Sequence, residues 1–188
     1  MENFIKIFKT IWEHDIKSTF EKGIITYERQ LQAILYNLLR ERLTYDYEIF
    51  IEPVIYQLDK IKPDMVITKS KKIIAIIELK CKPWEYPKSR LDINKLLGFK
   101  DKIDKNVEIY LGWIPKFIDW NEQNNNITSR LAYGLDEKLQ LIIAVIAKHD
   151  SEIVSKEIKD FDDYEKIKDF KIFLGYINPD GSIEFKMK

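Results

Sequence analysis

Three side chains in one short stretch have the types and spacing to do chemistry together. They are Asp64, Glu78 and Lys80, within Lys-Pro-Asp-Met-Val-Ile-Thr-Lys-Ser-Lys-Lys-Ile-Ile-Ala-Ile-Ile-Glu-Leu-Lys. Two carboxylates brought close repel, and they stay ionised together only with a cation between them. Hard oxygen ligands in such a set suit Mg²⁺, which binds through one or two carboxylates plus waters and substrate phosphate. A lysine beside them adds positive charge where an attacking hydroxide or a phosphoryl oxygen would lie.

That chemistry needs an element that makes the three converge. Two β-branched runs flank the polar break from Lys69 to Lys72, which predicts a hairpin. A loop of Ser70, Lys71 and Lys72 would pair Val66 with Ile76 and Asp64 with Glu78. Opposed residues share a face with Cβ atoms about 4.5–5.5 Å apart, and Glu78 and Lys80 share a face because side chains alternate. A two-residue loop would turn Asp64 to the wrong face. The reading therefore requires an odd-numbered loop, or a bulge that restores the phase.

At these residues the chain resembles the PD-(D/E)xK nuclease superfamily, whose site is a Pro-Asp on one strand and a Glu-x-Lys on the next. Pro63-Asp64 and Glu78-Leu79-Lys80 are the matching positions. An acidic-x-Lys triplet alone carries little weight in a chain that is 33% charged. It recurs at Asp15, Asp136, Glu157, Asp169 and Glu184, and Pro179-Asp180 before Glu184-Phe185-Lys186 is a decoy with too short a spacing. Context distinguishes the central stretch. Ile73 to Ile77 is an unbroken apolar run, as in a strand buried on both faces, and its terminal charges must be solvated or paired. An internal ion pair at Glu78 is the alternative reading.

The resemblance implies an α/β fold: a mixed central sheet flanked by helices, restriction-endonuclease-like. It covers roughly residues 26–113 of a single domain spanning 1–188, with an extra N-terminal helix and a C-terminal β extension. It also implies Asp64 and Glu78 as Mg²⁺ ligands (Mn²⁺ a possible substitute), helped by the Leu79 carbonyl, and Lys80 as the group that positions water. Glu28 opens a helix with Leu31 and Leu35 on its apolar face. On its own it reads equally as a carboxylate favouring the helix dipole; the resemblance implies a helix-borne Glu completing the metal shell. Gln32 could assist as a hydrogen-bonding neighbour or merely sit near the rim. The implied activity is phosphodiester hydrolysis, in DNA more often than RNA, with a homodimer possible because cutting both strands needs two sites. A second function class stays open: a catalytically silent protein of the same fold acting as a nucleic-acid-binding or assembly subunit. Zero net charge and the lack of a basic stripe motivate it.

Composition sets the outer limits. The 188 residues are 45% hydrophobic, enough for one packed domain. Formal net charge is zero, which argues against coating nucleic acid by bulk electrostatics. The single cysteine, Cys81, cannot form an internal disulfide and fits a reducing cytoplasm; a small buried residue is its expected role. No signal peptide or membrane-spanning run is read.

The remaining elements follow in order. Phe4 to Phe20 has helical spacing of apolar residues, with Gly23 ending the helix and His14 at its surface. Thr26 is read as capping a second helix that runs to about Leu43. Tyr47 to Ile55 is the first strand. The loop Lys82 to Lys88 is either a hydrophobic latch or, through Trp84, a stacking surface for a nucleotide. A helix from Ser89 to about Ile103 carries Arg90 and Lys95, candidates for phosphate contact or a solvated face. Val107 to Trp113 is a strand after a parallel crossover. Asp119 to Ser129 is a polar loop, Leu141 to Ala147 a buried strand with His149 beyond it, and Glu152 to Phe170 a charged, partly helical segment. Lys171 to Tyr176 and Ile183 to Phe185 form a hairpin around Asp180-Gly181.

Overall fold

The computed structural model describes residues 2–53, 55, 62–83, 96, 109–110, 132–148 and 170–187. The chain begins with one long helical arm: α1 (Glu2–Thr10), a π-helical turn (Ile11–Ile16) and α2 (Lys17–Glu21). Phe8, Trp12, Ile16 and Phe20 recur every four residues, and all are buried. At 3.6 residues per turn such a repeat drifts by about 40° per step; the wider π turn takes up the drift and keeps the aromatics on one face. Trp12 is fully buried, and its indole Nε1–H donates to the Leu174 carbonyl at 3.3 Å. The arm stops at Gly23, φ 71°, where Gly23 N–H bonds the Phe20 carbonyl and Ile24 N–H the Thr19 carbonyl, the double bond of a Schellman stop.

Helix α3 (Glu28–Arg42) buries Leu31, Leu35 and Leu39. Its N-cap is Tyr27, not Thr26. Thr26 lies one residue outside, and the Gln30 side chain reaches back to accept from both its N–H (2.9 Å) and its hydroxyl (2.8 Å). The amide thus satisfies the donors of Thr26 itself, as the returning side chain of a capping box does.

One mixed sheet carries the rest, in the order β1-β2-β3-β5-β6-β7. The strands are β1 (Tyr47–Ile51), β2 (Met65–Lys69), β3 (Lys72–Lys82), β5 (Ala132–Lys148), β6 (Phe170–Ile177) and β7 (Ile183–Met187); the short β4 (Ile109–Tyr110) pairs β5 off this path. β1-β2-β3 is antiparallel, β3-β5-β6 parallel, and β6-β7 antiparallel. The central strands are buried on both sides. Ile77, Leu79, Cys81, Ile142 and Ala144 pack under the helices, while Val66, Ile76, Ile143, Val145 and Leu174 form the opposite layer. The architecture is broadly α/β, as expected.

Three further expectations need correction. The strand parallel to β3 is β5, not the segment at Val107–Trp113; within that segment Ile109–Tyr110 pairs antiparallel with β5. The apolar strand expected at Leu141–Ala147 starts much earlier, at Ala132, because its first half is polar on the surface and carries no apolar run. β1 stops at Ile51, where Glu52 turns left-handed at φ 46°. The C-terminal hairpin is as expected: Gly181, at φ 82°, closes its turn. The segments at 84–95, 97–108, 119–129 and 149–169, with Trp84, Arg90, Lys95 and His149, lie outside the described residues. Among the described residues no helix is long and apolar enough to cross a membrane.

Candidate active site

The hairpin has a two-residue turn, yet its phase comes out right. Ser70 (φ 51°) and Lys71 (φ 60°) are both left-handed, as a type I′ turn demands, and Thr68 faces Ile73. Carried onward, that register would set Asp64 against Ile77. A bulge intervenes. Ile67 faces Ala75, Val66 faces Ile76 and Met65 faces Ile77, so Ile74 is the extra residue. Ile74 and Ala75 both lie in the helix-side layer, as a doubled residue on a bulged strand does. Continued one residue past the last pair, Met65 with Ile77, the restored register sets Asp64 opposite Glu78. Glu78 and Lys80 lie level with Ile143 and Val145 of β5, so all three motif residues stand on the face away from α3. They sit at the carboxyl end of β3 beside a parallel strand, where open α/β sheets place their sites.

Asp64 is tied down along its whole length. Its Oδ2 accepts from the Leu79 N–H at 2.6 Å. Its carbonyl accepts from the Glu52 N–H at 3.0 Å and from Gln32 Nε2 at 3.1 Å. Pro63, buried before it, follows from the ladder. Continued two residues past the last pair, Met65 with Ile77, the same register would set residue 63 opposite Leu79, where proline has no N–H to offer a carbonyl. The Leu79 N–H, a separate group, donates to the Asp64 carboxylate.

Glu78 is 1% exposed. A carboxylate so deep is costly unless charges or hydrogen bonds compensate it. Lys80 Nζ lies 3.5 Å from Glu28 Oε2, with the two side chains 20% and 40% exposed. Glu28 therefore meets Lys80 from the first turn of α3. The pair is open to solvent. Cys81 points the other way, into the helix-side layer. Burial, with a smaller push from the negative Glu28, raises its thiol to about 12, which makes it a packing residue rather than a nucleophile. His14 is exposed on the arm. Among the described residues no group of three or more His, Cys, Asp or Glu side chains is drawn together as a ready set of metal ligands.

The structure thus joins Glu28 to Lys80 and, by strand register, sets Glu78 and Lys80 on one face, with Asp64 following from the register continued one step. Of the two roles open to Gln32 in the sequence, a hydrogen-bonding neighbour or a rim residue, the structure shows the first: Gln32 donates to the Asp64 main chain, and its four-residue step from Glu28 places both on one side of the helix. The decoy Glu184–Lys186 closes a local surface ion pair at 3.0 Å. Comparison with protein-family models, with curated proteins and with solved structures finds no match to this chain.

Proposed function

We propose that the protein is a divalent-metal-dependent nuclease of the PD-(D/E)xK kind, hydrolysing phosphodiester bonds in DNA. The observation that carries this reading is the bulge at Ile74, which spends a ladder irregularity to place Asp64 on the face of Glu78 and Lys80. The mixed sheet, with a helix before an antiparallel trio and a parallel neighbour for β3, is compatible with a restriction-endonuclease-like arrangement and supports this reading.

The donors suit a hard cation: carboxylates of Asp64 and Glu78, the Leu79 carbonyl, and Glu28 at the rim. When bound, Mg²⁺ or Mn²⁺ supplies Lewis acidity and a more acidic water. The chain's own residues do the rest. Asp64 and Glu78 hold the shell, with Asp64 aimed by Leu79 N–H. Lys80 orients the attacking water and stabilises charge growing on the phosphoryl oxygens. Glu28 keeps the ammonium pointed into the site. A homodimer would supply the second site needed to cut a duplex.

A second reading rests on a specific observation. Lys80 is already engaged by Glu28, and the described carboxylates are not gathered into a ligand cluster; both suit a silent member of the fold that binds nucleic acid or assembles with a partner. Plasmid and single-stranded DNA incubated with Mg²⁺ or Mn²⁺ separate the two. Metal-dependent cutting by the wild type, lost in Lys80→Ala, is the expected result. Absence of cutting on every substrate, with no metal bound, refutes the nuclease reading.

A further inference from the structure

We infer that Gln32 is a positioning residue for the Asp64 carboxylate. The inference rests on the nuclease reading and adds to it a part that the motif does not contain. Asp64 precedes β2, so it lies beyond the ladder pairs that start at Met65. Something else has to fix its backbone. Two donors converge on its carbonyl oxygen: the N–H of Glu52, itself held in a left-handed conformation, and the side-chain amide of Gln32. They fill the two lone pairs that a carbonyl offers. With the carbonyl held from both sides, the backbone of Asp64 has less freedom to turn its side chain away, and Oδ2 meets the Leu79 N–H.

Gln32 is half-buried and sits one turn after Glu28 on α3. Glu28 touches Lys80 and Gln32 touches Asp64, so one helix face carries one contact to each half of the motif. The helix sets the relative position of the acid and the amine. Rotating α3 or removing either contact lets the two halves drift. A misplacement of about 1 Å in a reacting group can cost about 10²-fold in rate.

Two variants test this. Gln32→Met keeps length and bulk but donates nothing; Gln32→Ala removes the side chain at a position where helix propensity favours alanine. Each is compared with the wild type for DNA cleavage, for Mn²⁺ binding in the absence of DNA by calorimetry, and for melting temperature. Partners outside a metal's ligand set typically change affinity or activity by about 10–100-fold. The expected result is a Mn²⁺ dissociation constant raised about tenfold and kcat lowered about 10–100-fold in both variants, with KM for DNA within about threefold of wild type. Variants that bind Mn²⁺ and cut as the wild type does overturn the role of Gln32 and leave the nuclease reading standing. Failure of both variants to fold assigns Gln32 to structure alone and also overturns it. A wild type that neither binds Mn²⁺ nor cuts DNA removes the nuclease reading, and this inference falls with it.

Discussion

Glu28 is the residue whose two possible roles differ most in magnitude. As a purely structural group it contributes an ion pair with Lys80 at 3.5 Å, the partners 20% and 40% exposed. Pairs this open to water are worth about 0.2–1 kcal/mol. In a chain of 188 residues that corresponds to a melting shift of at most about 2–4 °C. As a member of the metal shell, or as the group that aims Lys80, it should control cleavage by about 10–100-fold. Glu28→Gln preserves shape and helix propensity while removing the charge. The expected outcome is a small change in melting temperature together with a large fall in Mg²⁺-dependent cutting per folded molecule. Thermal melts and initial cleavage rates on the same preparation read both quantities. A drop in melting temperature well beyond about 4 °C with cutting unchanged would reverse the assignment, making Glu28 a structural brace whose ion pair is worth more than solvent screening allows.

Two further outcomes follow from packing and burial. Gly175→Ala should destabilise the fold by about 1–3 kcal/mol, because an added Cβ would lie 2.7 Å from Phe185 Cζ. That ring is confined against Trp12 and Phe20 at 5.3 and 6.1 Å; a denaturant midpoint equal to the wild type's would refute the reasoning. Cys81 gives the protein an alkaline dependence. Its thiol ionises near 9.0 when unfolded and at about 12 when folded, through burial first and Glu28 second. The stability this contributes is fully present below pH 9 and drains away as pH rises toward 12, at up to about 1.4 kcal/mol per pH unit. Cys81→Ala should show a shallower decline than wild type across that window in denaturant titrations; parallel declines would disprove it.

The features legible in the sequence are those set by near neighbours. The stripes Phe8-Trp12-Ile16-Phe20 and Leu31-Leu35-Leu39 follow from periodicity, and Gly23 and Gly181 sit where only positive φ continues the chain. The run Ile73–Ile77 announces a strand covered on both sides. Even the need for a phase correction in the β2–β3 hairpin could be stated beforehand, since alternation along a strand is strict. Its location could not. Isoleucine at 74 resembles its neighbours in every local respect, and the bulge lies where packing under the helices accepts a second side chain.

Long-range matters were decided by the assembled sheet. Whether β3 takes Val107–Trp113 or β5 as its parallel partner is a competition between segments far apart in the chain, won by the one with the longer apolar run. Glu28 against Lys80 and Gln32 against Asp64 join residues separated by more than thirty positions in the chain. No local propensity encodes such pairs. The sequence by itself determined which residue types are available at the motif and the period of the elements bearing them. Tertiary structure decided which carboxylate meets the lysine and which amide meets the aspartate. The physical reason is that side-chain contacts depend on how helix and sheet pack in space, and packing is a property of the whole core.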